Sequence, residues 1–197
     1  YPEAGIASGE QVLRDLARHP ATARHLAKKL ARHFVSSTPP APLVTALERT
    51  FLETGGDLGQ VARTLVGHEA SWSVPQRKVL PPYDFLVSLA RGFDLHVPPR
   101  QIVNLARALG QPLWTPPSPK GWPDDDDAWL GPSSLRERLR LAGQFAARAA
   151  QLHDPVHMAQ ELLGTAISDA EMKAIRRAES RAQGTELLIM SPAFQRR

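Results

Sequence analysis

The sequence predicts an all-α chain: an irregular bundle of about ten helices, joined by one long ordered loop rich in Trp and Pro. Three observations predict it. Apolar residues recur at spacings of three and four along most of the chain, which puts them on one side of a helix. Cap residues, helix-starting prolines and stop glycines divide those runs into segments of ordinary helical length. No stretch alternates apolar and polar residues convincingly. The best strand candidate, "VPQRKVLPPYDFLV", is interrupted by prolines that cannot donate to a ladder.

Taken in order, Ser8 is placed to cap "GEQVLRDLARH". In "HPATARHLAKKLARHFVSS", Pro20 suits a first helical position, where its missing N–H costs nothing. Ala23, Leu26, Leu30 and Phe34 form its expected buried stripe, and Pro39-Pro40 end the unit. "PLVTALERTFLETGG" sets Leu43, Leu47 and Phe51 on one side and stops at Gly55-Gly56. Asp57 caps "LGQVARTLVGHEASW", with Leu58, Val61, Leu65 and Trp72 expected inward. Residues 73–81 read as a connector. "PYDFLVSLARGF" and "PPRQIVNLARALG" are helical, the second stopped by Gly110. Past the loop, Ser133 or Ser134 is expected to cap "LRERLRLAGQFAARAAQ". Asp154 caps "PVHMAQELLG", Ser168 caps "DAEMKAIRRAESRAQ", and "TELLIMSPAFQRR" closes the chain. The whole reads as a single helical domain over 1–197, with 1–72 and 79–197 as its natural subdivision.

The bulk numbers narrow the function. A chain of 197 residues with 42% hydrophobic and 22% charged residues can bury a good core. No apolar run reaches the roughly 18–20 residues that span a bilayer. The net charge of +4 permits an anionic partner without demanding one. With no cysteine, disulfides, thiolate nucleophiles and Cys-based metal sites are excluded. The chain begins at Tyr1, without Met or a signal-like apolar core, so it reads as a piece of a longer protein with any targeting segment upstream.

No phosphate loop, dinucleotide fingerprint or nucleophile elbow is present. "HEASW" at His68 begins like a zincin helix but lacks the second His. His153 and His157 are four apart, yet the helix start at Asp154-Pro155 leaves His153 off the helical face. Three features remain as candidate sites. The segment "QPLWTPPSPKGWPDDDDAWLGP" holds Trp114, Trp122 and Trp129, three of the four tryptophans. Their indoles suit either an aromatic ligand platform or the packing of the loop onto helices. Its run Asp124–Asp127 suits either a divalent cation, with Asp124 and Asp126 as ligands, or a solvated acidic turn. It lacks the Gly and terminal Glu of an EF-hand, and adjacent aspartates diverge, so no cofactor is expected. The third feature is a basic stripe, Arg24, Lys28 and Arg32, with Lys29 beside it, opposite the apolar stripe of the same helix. It suits a nucleic acid or lipid-headgroup surface, or simply a solvated face. Membrane-surface helices expose Trp or Phe, and Phe34 is assigned to the core.

Five ordered segments, "HPATARHLAKKLARHFV", "GDLGQVARTLV", "KVLPPYDFLVSLAR", "LGQPLWTPPSPKGWPDDDDAWL" and "LLIMSPAFQRR", together resemble the C-terminal part of a bacterial family known as domain of unknown function number 1800. The resemblance runs from about His19 to Arg197 and is weakest over 150–185. It implies a helical fold, a C-terminal fragment of a longer bacterial protein, and an exported or periplasmic setting. It also implies a gene neighbour encoding an exported protein of the alkaline-phosphatase-like fold, which makes that protein a candidate partner. It implies no activity, cofactor or catalytic residue. Lys78 is shifted back from Pro82 relative to the family pattern, and the acidic run is more extreme. The expected function is therefore a non-catalytic binding or scaffold module. The competing reading is a hydrolase with a site beside residues 111–130, completed by further chain, in which Asp124–Asp127, His25 and His33 would be the first suspects.

Overall fold

The computed structural model describes residues 1, 5–73 and 78–196. Among these are eleven α-helices, three short 3-10 turns and no strand; one isolated antiparallel bridge joins Val79 to Arg196. The chain is all-α. It forms two compact units, Tyr1–Arg77 and Lys78–Arg197. Residues 74–77 of the expected connector, and of the best strand candidate, lie outside the described residues.

The first unit contains α1 (Ile6–Arg18), α2 (Pro20–Phe34), α3 (Ala41–Glu53) and α4 (Leu58–Gly67). Its core is Ala23, Ala27 and Ala31 of α2, Leu43, Leu47 and Phe51 of α3, and Val61 and Leu65 of α4. The inward stripe of α2 is thus made of alanines. Leu26 and Leu30 only flank it, and Phe34, expected in the core, is 65% exposed. Both stripes repeat every four residues, so spacing alone does not separate them. The small alanines let α2 approach α3 closely, and the large side chains of α3 fill the space. Pro20 opens α2, and His19 Nδ1 accepts a hydrogen bond from Ala21 N–H at 3.1 Å. Ser8 does not cap α1: it lies inside that helix, which begins after Gly5. No residue of α1 is buried.

Local signals hold elsewhere in this unit. Asp57 caps α4 by accepting from Gln60 N–H at 3.0 Å. At Gly56, φ is 95°, a conformation that favours glycine, and a Cβ there would press on the Phe51 ring at 3.3 Å. Leu58 and Trp72 do not turn inward as expected. Trp72 is 73% exposed, and its Nε1 donates to the Val66 carbonyl at 2.7 Å, satisfying an orphan acceptor at the end of α4.

The second unit contains α5 (Pro82–Gly92), α6 (Pro99–Ala108), α7 (Pro132–Ala149), α8 (Pro155–Leu163), α9 (Asp169–Arg176), α10 (Arg181–Met190) and α11 (Pro192–Gln195). α10 packs along α7 and also touches α8, α9 and α11. Phe85, Leu86 and Leu89 of α5, Leu141 and Phe145 of α7, and Leu188 and Ile189 of α10 meet in one core. Phe194 sits in that core against Phe85 and Phe93, with ring centroids 6.4 and 6.0 Å away. Neither Ser133 nor Ser134 caps α7. Pro132 supplies its first turn after Gly131, with no side-chain cap bond, and the Ser134 hydroxyl is buried without a partner. Asp154 and Ser168 do cap α8 and α9. No helix among the described residues is long and apolar enough to cross a membrane.

Glu171 ties α9 to the chain end. Its Oε2 accepts from Ser168 N–H at 2.8 Å and from the Ser168 hydroxyl at 2.6 Å, and its Oε1 accepts from Ala193 N–H at 3.1 Å. Partial burial pushes its acidity the other way, but these donors and the nearby Arg196 hold the carboxyl below its usual range. A carboxylate depressed on folding stabilises above its unfolded pKa, and that contribution disappears as pH falls through the folded value. Glu171→Gln should therefore cost about 1 kcal/mol at neutral pH. In thermal melts the gap from wild type should close below about pH 4; a gap that stays constant down to that pH would contradict this assignment.

Candidate functional site

The loop between α6 and α7 is built on a few anchors, with turns rather than ladder hydrogen bonds between them. Gly110 ends α6 at φ 92°, a conformation that side chains disfavour. The Gln111 side-chain carbonyl then accepts from Tyr83 N–H at 2.8 Å, fastening the loop to the start of α5. Gly121 turns the chain at φ 90°. Trp122 and Trp129 stack at a tilt, 6.2 Å between centroids and 51° between planes. Trp129 is buried and ends a 3-10 turn, Asp126–Trp129.

Trp114 behaves differently. Of the two uses open to the three indoles, it takes no part in packing: it is 94% exposed. Its φ of 64° is one of only two positive values among the described non-glycine residues. Pro112, Pro116 and Pro117 restrict the chain around it. The adjoining Leu113 lines a groove of about 510 Å3 between α5 and α6, together with Tyr83, Arg91, His96, Ile102 and Val103.

Half of the acidic run is tied to the start of the second unit. Lys78, almost fully buried, lies 3.1 Å from Asp124 Oδ1 and donates to the Asp124 carbonyl at 2.5 Å. Asp126 Oδ1 accepts from Val79 N–H at 2.9 Å. A buried ammonium needs such a partner, because an unpaired charge in a protein interior is costly. Two of the four aspartates are therefore engaged with residues 78 and 79, while Asp127 faces solvent. Among the described residues no group of three or more His, Asp or Glu is placed to hold a metal ion.

The other side of this short segment is held by Arg138, which is 0% exposed. Its guanidinium donates to the Leu80 carbonyl and to the Gln195 side-chain carbonyl, both at 2.6 Å, and lies 4.8 Å from the centre of the Phe85 ring. No carboxylate pairs with it among the described contacts, and its Nε is left without a partner. Burial lowers its pKa to about 10, so it stays charged at neutral pH. Leu80 N–H donates to the Gln195 carbonyl at 2.9 Å. Residues 78–80 are thus a strap pinned to the Trp loop, to α7 and to the chain end.

The remaining sequence candidates are dispersed. Arg24, Lys28, Lys29 and Arg32 are all exposed on α2, away from its alanine face, with His25 and His33 also exposed. The exposure of Phe34 removes the argument that this helix keeps its aromatic inside. His153 Nε2 lies 3.0 Å from the Phe93 carbonyl, and His157 faces Glu161 at 3.4 Å, so the two imidazoles serve different partners. His68 caps a 3-10 turn through Ala70 N–H. Sequence reasoning missed Lys78, Arg138 and Gln195. One signal was available: Arg138 lies three, four and seven residues before Leu141, Ala142 and Phe145, on the core-facing side of α7.

The family described as "Protein of unknown function (DUF1800)" matches residues 1–196. The chain belongs to that family. The match extends the resemblance from about His19 back to the first residue and across 150–185, where it was weakest. No match was found among curated proteins or among solved structures.

The strap has a direct test in stability. Lys78→Met should destabilise the protein by about 2 kcal/mol in urea unfolding, because it removes a buried ammonium together with its ion pair to Asp124 and its hydrogen bond to the Asp124 carbonyl. Asp127→Asn should change stability by no more than about 0.5 kcal/mol. Equal effects of the two substitutions would show that the acidic run is only a solvated turn.

Proposed function

We propose that the chain is a non-catalytic binding module that docks a protein partner through Trp114 and the adjoining α5–α6 groove. The observation that carries this reading is the posture of Trp114, a fully presented indole on a proline-restricted backbone. Tryptophan is the residue most enriched among binding hot spots, since it buries a large surface at little conformational cost. Holding it in place before binding removes part of the ordering cost of association. The groove supplies an apolar floor beside it, edged by the polar groups of Tyr83, Arg91 and His96.

The hydrolase reading has less behind it. Of its first suspects, Asp124–Asp127, His25 and His33, Asp124 and Asp126 are engaged with Lys78 and Val79, and among the described residues no nucleophile–base–orienter set accompanies them. The binding reading requires no cofactor. The partner it favours is the exported alkaline-phosphatase-like-fold protein that family gene neighbourhood implies.

The test uses purified protein and that neighbour. Trp114→Ala should leave the melting temperature within a degree or two, because nothing packs on the indole. It should weaken binding by at least tenfold in biolayer interferometry. Unchanged affinity would remove Trp114 from the interface, and no binding by the wild type would remove this partner.

A further inference from the structure

α5 separates two grooves, and the second has a different chemistry. It has a volume of about 420 Å3, within the range of small-molecule sites. Its walls are apolar: Val87 from α5, Leu162 and Leu163 from α8, and Phe194 from α11. Its polar rim includes two guanidiniums, Arg91 and Arg196, and no carboxylate lines it. Arg91 is exposed and has no hydrogen-bond or ion-pair partner among the described residues. Arg196 interacts electrostatically with Glu171, whose carboxylate also accepts hydrogen bonds from Ser168 and Ala193.

A third positive charge stands behind the floor. Leu80 lines the groove, and its carbonyl accepts from buried Arg138. That guanidinium has only neutral acceptors, so its field is not cancelled locally, and poorly screened charges act over longer distances than exposed ones. An apolar groove with an unpaired guanidinium at its rim, Arg91, a second at Arg196 beside Glu171, and a buried one behind its floor complements one kind of ligand. Its tail must be apolar, and its head must carry anionic oxygens that an arginine fork can hold in two parallel hydrogen bonds.

We propose that the groove lined by Val87, Leu162, Leu163 and Phe194 binds an amphiphile with an apolar tail and a single anionic oxygen headgroup, held by Arg91 and Arg196. Either a free carboxylate or a phosphate head would satisfy the two arginines. This site does not depend on the partner proposed for the Trp114 surface, although Val87 and Arg91 border both grooves.

The test is calorimetric titration of the full chain with decanoate, decyl phosphate and decanol, each below its micellar concentration. At least one of the two anions should bind, and decanol should bind at least tenfold more weakly. Preference between the two anions identifies the headgroup. Arg91→Gln should weaken anion binding by about tenfold or more, while Arg91→Lys, which keeps the charge, should recover part of the loss. Leu162→Trp, which fills the slot, should abolish binding. Because Arg91 is exposed, its substitutions should leave the melting temperature nearly unchanged, which separates lost binding from lost folding. The proposal is overturned if neither anion binds, if decanol binds as well as decanoate, or if Arg91→Gln has no effect.

Discussion

The second unit depends on a charge buried where charges are expensive. Arg138 sits on the core face of α7, and its guanidinium reaches the carbonyl of Leu80 in one direction and the side chain of Gln195 in another. Those residues are 58 and 57 positions away in sequence. Desolvating a guanidinium costs several kcal/mol, and neutral acceptors return less of that cost than a carboxylate would. Such a group is poor evidence for stability and better evidence for specificity. A forked cation with fixed geometry accepts only one arrangement of its partners, whereas an apolar side chain at the same place would tolerate several.

The consequences spread along the strap. With Leu80 fixed, Val79 meets Arg196 in the isolated bridge and donates its N–H to Asp126, and Lys78 is carried to the Trp loop, where Asp124 receives it. Within the acidic run, Asp124 is the counterion of a buried lysine. Both candidate binding surfaces inherit this framework. Trp129 is locked inside the loop, which leaves Trp114 as its presented indole. The amphiphile groove takes Leu80 from the strap and Phe194 and Arg196 from the chain end. One buried cation thus helps shape two surfaces on opposite flanks of α5.

The parts of this structure that were legible in sequence are those governed by neighbours within one helical turn. Asp57, Asp154 and Ser168 start helices because a cap bond spans two or three residues, Pro20 because its ring presets the first helical turn, and Gly56 and Gly110 stop them through their own backbone angles. Local reasoning failed where two local solutions compete. Ser133 and Ser134 offer caps, but Pro132 takes the first helical position; the alanine and leucine stripes of α2 share a spacing, and only packing against α3 chooses between them. It also failed where exposure depends on distant chain. Nothing adjacent to Trp72 or Trp114 says that no element covers them, and nothing near Asp124 announces a lysine 46 residues earlier. The basic and aromatic residue types were noticed; their pairings were long-range and therefore hidden.

The claim that Arg138 fastens the strap can be tested at the one amide that reports it. Leu80 N–H donates to the Gln195 carbonyl, beside both acceptors of the guanidinium. In Arg138→Met, a side chain of similar reach with no donor, native-state hydrogen exchange of the Leu80 amide should accelerate by at least about tenfold, corresponding to roughly 1.4 kcal/mol of local opening free energy. If Leu80 keeps its full protection in that variant, the strap is held without the guanidinium, and the account of Arg138 is wrong.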